Sequence, residues 1–406
     1  MRPFADRGHW GEIALPKISD TRPVDTDAIR RRVRSGIHGS DRYYDHGHTG
    51  GDLDEARPVL DSAWSMILAD RSRDALPIPE AITAEYVEAL EVLDWEEIGD
   101  YGGDLVDFFA ELGMVWTEAL VSMDDLTPLE KEDCGAKLDV WWGELDDYDT
   151  SEYFGAAFGA IEQGRSYPPL VKVLKGIAPD DEFSDEMYED PLTLARLNVL
   201  ERRGRHEEYL NLSEAAGATT GHAIMLVRLG RAKEAVEYSL VRLADPEGAL
   251  AVAGALPEHG DPGSALRVGE HGLSLQGRKG LLANLVRDLA IKEGRPGMAL
   301  QAANTAVRAD PDLASYPQVR KLAGERWPEH REKLLEFLRQ NVPYDPVGHL
   351  DVFLHEGLVR GAIAVVEESP IEALVERVVD AAVESHPRWV IDTCRGQPRR
   401  SWTTVR

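Results

Sequence analysis

The sequence is short of most groups from which chemistry is built. Two cysteines, Cys134 and Cys394, occur in 406 residues. They lie too far apart for a Cys-x-x-Cys clip, and two thiolates alone do not fill a tetrahedral zinc site. No run of about 18 uninterrupted apolar residues occurs, so no helical membrane span is expected. The opening stretch, MRPFADRGHWGEIALPKISD, lacks a basic region followed by an apolar core, so a secretory signal is not expected and the cytoplasm is the expected compartment. Neither GxGxxG nor GxxxxGK[ST] stands between a strand and a helix, and the GRKG of residues 277–280 is too short to cradle a phosphate. A Gly-x-Ser-x-Gly elbow and a His-Glu-x-x-His pair are also missing. Basic residues are scarce relative to acidic ones, 45 against 73, leaving a formal charge of −28. Such a surface repels phosphate backbones, which argues against broad nucleic-acid binding and favours a partner of basic character. Arginine dominates the basic set, a balance that suits a salt-adapted, halophilic acidic protein.

What the chain has in quantity is helical periodicity. Residues 1–24 mix Gly, Pro and charge and are expected to form a poorly ordered leader. From Asp25 the pattern DTDAIRRRVRSGI offers Asp25 or Asp27 as a cap and places Ile29, Val33 and Ile37 on one face, with Gly36 and the polar run after it expected to end the helix. Five further segments up to residue 163 carry apolar residues at spacings of three and four, as in Phe108, Leu112, Val115, Trp116 and Leu120. Thr127-Pro128 reads as a helix start, and Thr150 or Ser151 as the next cap. Five or six helices and no strand are predicted for this N-terminal helical region, residues 25–163.

A hairpin signature then recurs through residues 164–391. Gly204, Gly230, Gly260, Gly294 and Gly357 are each followed at the sixth position by Leu210, Val236, Leu266, Leu300 and Ile363. After the last four, the fifth position is Ala235, Ala265, Ala299 or Ala362. Such a glycine closes one helix in a left-handed cap before the next begins, and the small residue lets paired helices approach. Gly324 is a degenerate member with Glu329 and His330 at those offsets, although Trp327-Pro328 still reads as a helix start. The spacing predicts an all-α fold, an irregular α-solenoid of tetratricopeptide-like hairpins, followed by a basic tail over 392–406. Ala235, Val236, Leu240 and Leu243, and likewise Ala299, Leu300, Ala303 and Val307, form apolar faces that only neighbouring hairpins can cover.

Candidate ligand groups are few. The loop HGSDRYYDHGH holds His38, Asp41, Asp45, His46 and His48, but in no recognised ligand spacing, and a solvated loop is expected. His349 and His355 are offset by six residues, about 240° on an ideal helix, so they do not share a face. His259 and His271, in Glu-His-Gly triplets, are expected at helix ends, where histidine interacts favourably with the dipole. Of the adjacent Trp141 and Trp142, one is expected in the core and the other at an edge. Acidic pairs such as Asp146-Asp147 and Asp180-Asp181 read as solvated connectors. No catalytic, cofactor-binding or metal residue is assigned.

The wording of several segments resembles a known family. RADPDLASYPQVRKLAGERWPEHREKLLEFLRQ, DVFLHEGLVRGAI and LVERVVDAAVESHPRWVI are similar to the carboxy-terminal helical region of prokaryotic SWIM-type zinc finger proteins. IRRRVRSGIHGSDRYYD, GDLVDFFAELGMVWTEAL and WWGELDDYDTSEYFGAAFGAI look like the segment that follows the finger. The resemblance spans roughly residues 25–391. The Cys-x-Cys…Cys-x-His finger is missing, so its zinc ligands have no counterpart here. After HPRWVI the chain turns to DTCRGQPRRSWTTVR, with Arg395, Arg399, Arg400 and Arg406, where the family continues helically; a shifted or truncated reading frame and a true basic tail both fit. The resemblance implies a non-enzymatic helical scaffold for protein-protein interaction, with a protein or peptide partner, indirect association with DNA, and neither membrane nor small-molecule substrate. Two alternatives stand beside it: a nucleic-acid-associated regulator binding through Arg30, Arg31, Arg32 and Arg34 or through the tail, and an enzyme with a site between the two halves.

Overall fold

Apolar spacings of three and four residues become helix throughout the described chain, which comprises residues 24–39, 53–89, 103–123, 125–146, 151–179, 187, 190–342 and 346–396 of a computed structural model. The fold is all-α, and no strand occurs among the described residues. Two compact units divide at 218/219, Met1–Ala218 and Thr219–Arg406, well after residue 164, where the sequence pattern changes.

In the first unit, α1 (Thr26–Gly39) starts at Asp25, whose carboxylate accepts a hydrogen bond from the Ala28 N–H at 2.9 Å. Val33 and Ile37 are buried as their spacing predicts. The helix runs through the buried Gly36 and ends at Gly39, within the polar run that follows it. Then come α2 (Arg57–Leu68), the single turn α3 (Ser72–Ala75), α4 (Pro77–Ala89), α5 (Gly103–Ser122) and α6 (Pro128–Asp146). A 3-10 turn (Ser151–Phe154) leads into α7 (Gly155–Glu162), followed by α8 (Pro168–Leu174), α9 (Pro191–Arg202) and α10 (His206–Ala215). The one-turn α3 is too short for periodicity to reveal.

Helix α5 is apolar around most of its circumference, and such a helix must be enclosed. It packs against α2, α3, α4, α7 and α9 and buries Phe108, Phe109, Leu112, Val115 and Trp116. The Trp116 indole N–H donates to the Thr83 hydroxyl at 3.0 Å, satisfying a polar group inside the core. Thr127 and Glu130 form a capping box at the start of α6: the Thr127 N–H donates to the Glu130 carboxylate at 2.8 Å and the Glu130 N–H to the Thr127 hydroxyl at 3.3 Å.

The second unit is a succession of helix pairs. They are α11 (Thr219–Arg228) and α12 (Ala232–Arg242), α13 (Pro246–Glu258) and α14 (Pro262–Ser274), α15 (Gly280–Lys292) and α16 (Pro296–Ala309). After these come α17 (Tyr316–Ala323) and α18 (Trp327–Gln340), α19 (Val347–His355) and α20 (Val359–Glu368), and α21 (Glu372–Ala382) and α22 (Pro387–Gly396). Helices pack within pairs and across them, α11 on α13, α13 on α15, and α12 on α14. Those cross-pair contacts are what the apolar faces of single hairpins require.

The five marker glycines all take positive φ, between 66° and 83°. At Gly230, for example, the Gly230 N–H bonds the Val227 carbonyl at 2.9 Å and the Arg231 N–H the Leu226 carbonyl at 2.9 Å. This double bond pattern satisfies the last carbonyls of a helix, and it recurs at Gly204, Gly260, Gly294 and Gly357. Ala235, Ala265, Ala299 and Ala362 are fully buried, and all five sixth-position residues are buried. The same closure occurs at Gly176 and Gly217 and, with an aspartate, at Asp70. Asp181 and His222 follow those glycines at the fifth position instead of alanine, because the cap needs the glycine while the alanine serves only packing. Gly324 opens a 3-10 turn (Gly324–Arg326) before α18, and α18 buries Leu334, Leu335 and Leu338 instead of the expected offsets.

Candidate functional site

Among the described residues, those singled out by sequence are scattered over separate helices. The side chains of His38, Asp41, Asp45, His46 and His48 lie outside the described residues, as do those of Asp146, Asp147, Asp180 and Asp181. Among the described residues no three His, Cys, Asp or Glu side chains gather as a metal ion would need. His259 ends α13 and His271 stands in the last turn of α14. Gly272, however, is not an ending: it lies inside α14, where a Cβ would overlap Ala249. His349 is buried and His355 exposed, as their offset predicts. Burial pushes the His349 imidazole below its ordinary value; the Asn341 carbonyl opposes this from nearby without a hydrogen bond of normal geometry.

Cys134 and Cys394 are free thiols, the first buried and the second exposed. Burial, then the charge of Glu80, pushes the Cys134 thiol up to about 11, so it is an inert core residue. Trp141 and Trp142 are both half-buried rather than split between core and edge. Trp141 meets Trp116 edge-on at 5.9 Å, and Trp142 meets Phe158 at 5.4 Å.

Two of the four α1 arginines are committed. Arg32 pairs with Glu55, and Arg34 binds the buried Glu85 at 2.7 Å and Glu88 at 2.8 Å. Arg395 lies within α22, which extends through Gly396 into the expected tail. The remaining tail arginines are outside the described residues.

The best-formed concavity has no sequence motif. A cavity of about 380 Å³ in the first unit lies among α5, α6, α7, α8, α9 and α10 and the segments between them. Its apolar wall includes Leu120, Met123, Leu170, Leu174, Val199 and Leu200. Its polar lining includes Lys131, Arg165, Arg196, Arg203 and Arg205, and no carboxylate among the described residues. Arg203 donates to the Ser122 carbonyl and pairs with Asp70 at 3.4 Å, and the Arg205 Nε binds Glu208 at 2.9 Å.

Arg196 differs from these. It projects from α9, is only 6% exposed, and donates through Nη2 alone, to the Gln163 side-chain oxygen at 3.1 Å and its carbonyl at 3.4 Å. No carboxylate among the described residues lies within ion-pairing distance of it. Burial pushes its guanidinium down to about 10, against the opposing influence of Asp190 and Tyr167. Elsewhere in this unit the buried charge is paired: Glu118 binds Arg202 at 2.9 Å and Asn198 at 2.6 Å, and burial raises its carboxyl above the usual range despite both.

Charge is divided very unevenly between the units. Residues 1–218 hold 48 acidic and 21 basic residues, whereas 219–406 hold 25 and 24. The hairpin pairs of the second unit therefore do not offer an acidic surface overall, and their outward apolar side chains include Val241, 79% exposed, and Leu281, 74% exposed. The cationic cavity belongs to the acidic unit. Its residues are spread between Leu120 and Leu212, and the one sequence signal is the basic run Arg196 to Arg205 within an acidic half.

No protein-family model matches the chain, and comparison with curated proteins yields no match. No described helix is long and apolar enough to cross a membrane.

Proposed function

We propose that the protein is a non-enzymatic helical scaffold whose second unit, an irregular solenoid of tetratricopeptide-like hairpins, holds a protein or peptide partner. One observation carries this reading: the same hairpin closure recurs at Gly230, Gly260, Gly294 and Gly357, each followed at the fifth position by a fully buried alanine. Repetition of that kind extends a surface instead of deepening a single cleft. The ion pairs at Glu85 and Glu118 favour a structural use of buried charge over a catalytic one.

Partner selection on this reading has two parts. The near-neutral second unit selects by shape and apolar contact, and the acidic first unit attracts a partner of basic character, an attraction that fades as salt rises. The pairing of Arg32 and Arg34 leaves fewer charges for phosphate and disfavours direct DNA binding through α1. The resemblance to the helical part of SWIM-type zinc finger proteins makes a separately encoded finger-bearing chain the first partner to test, with association to DNA then indirect.

A photo-crosslinking amino acid placed at Val241 or Leu281 in the cell of origin tests the reading. The expected result is one recurrent adduct, absent when the same group replaces Val140, an exposed position of the first unit. Adducts that form equally from Val140, or none from either array position, would refute it.

A further inference from the structure

We propose that the cavity of the first unit binds a small oxyanion with a compact apolar body, a carboxylate or phosphate monoester, whose head is held by Arg196 and Lys131. This goes beyond the scaffold reading and stands on different residues.

Three independent observations converge on the cavity. A buried guanidinium ordinarily has a carboxylate or a full set of acceptors, because an uncompensated charge away from water costs several kcal/mol. Arg196 is 6% exposed, yet its Nε and Nη1 groups have no partner among the described residues, and its only acceptors are the two oxygens of Gln163. Lys131 likewise makes no ion pair among the described residues.

The sign of the lining is the second observation. Five cations and no carboxylate face the cavity in a unit where acidic residues outnumber basic ones 48 to 21. Arg203 and Arg205 already face Asp70 and Glu208, and Arg165 has an interaction of its own, which leaves Arg196 and Lys131 to meet one singly or doubly charged head. A guanidinium fork matches the oxygens of a carboxylate or phosphate in two parallel hydrogen bonds.

Shape is the third. The lining also includes the aliphatic side chains Leu120, Leu170, Leu174 and Val199, and the volume of about 380 Å³ lies in the range of small-ligand sites. It corresponds to roughly a dozen water-sized volumes. A free inorganic anion would meet the cations and leave the apolar lining against water.

Calorimetric titration of the full chain at physiological ionic strength with octanoate, octyl phosphate and inorganic phosphate tests the proposal. Saturable single-site binding of at least one octyl compound is expected, with inorganic phosphate much weaker; the tighter of the two octyl compounds identifies the head group. Arg196→Met should weaken that binding about tenfold or more, and Lys131→Gln should weaken it without changing the unliganded melting temperature. In the absence of ligand, Arg196→Met should melt higher than wild type, because it removes an unpaired buried cation. No saturable binding by either octyl compound overturns the proposal, as does equal binding of inorganic phosphate or wild-type affinity in both variants. Lys131→Gln keeps the test decisive should Arg196→Met fail to fold.

Discussion

Gly113 and Gly143 show how the same residue type can carry opposite consequences within one unit. A Cβ on Gly113 of α5 would overlap the carbonyl oxygen of Tyr153, whereas nothing lies within 4 Å of one on Gly143 of α6. Gly113→Ala is expected to lower stability by about 1–3 kcal/mol through overpacking. Gly143→Ala should raise it by roughly 0.5–1 kcal/mol, since alanine is the better helix former. Urea midpoints of the two variants should therefore move in opposite directions. At His349 the consequence depends on pH. Burial holds its folded pKa below the unfolded value of 6.5. The unfolded chain then binds more protons in this window, so the His349 contribution is intact above the unfolded pKa and is lost as pH falls toward the folded one. A His349→Gln variant should show a flatter decline in urea midpoint than wild type below about pH 6.5; parallel profiles would contradict the assignment. Neither effect is legible from local sequence, because what surrounds each residue comes from a distant segment: Tyr153 in one case, and the Asn341 and Arg308 neighbourhood in the other.

Helix ends were the most legible feature at the scale of elements. Asp25 and Thr127 cap where their positions predict, and Asp190, Asp245 and Asp261 each precede a proline and accept backbone N–H bonds from the first turn. Short polar side chains act on groups three residues away, so sequence alone carries the information. Asp261→Ala should cost about 1 kcal/mol, read from the urea midpoint, with the helical circular dichroism of the native baseline retained. Ala299 is a different kind of position. It is fully buried in α16, which packs on α15 and α17, and Ala299→Arg would place a long cation in a closed core. Loss of the cooperative thermal transition is the expected outcome, and wild-type melting would rule out the packing role. The helix ends that escaped prediction, at Gly176, Gly217 and Asp70, have the same hydrogen bonds without the alanine marker. Gly36 and Gly272 instead lie inside helices, and at Gly272 the reason is packing, because a Cβ there would overlap Ala249.

Across the whole molecule the acidic excess resides in the first unit, a division that the total of −28 conceals. Like charges crowded on one unit repel, and salt screens that repulsion. Hydrogen exchange in α2–α6 should therefore slow as KCl rises from low to about molar concentration, where the Debye length is near 3 Å, while exchange in α13–α16 changes little. Equal responses would contradict the division. The sequence by itself determined the all-α class, the closure of successive hairpins and most of their buried faces, because caps and periodicity are set by residues a few positions apart. Only the tertiary structure decided that Arg196, Lys131 and an aliphatic wall share one cavity. Those groups come from stretches separated by tens of residues, and packing alone brings them together.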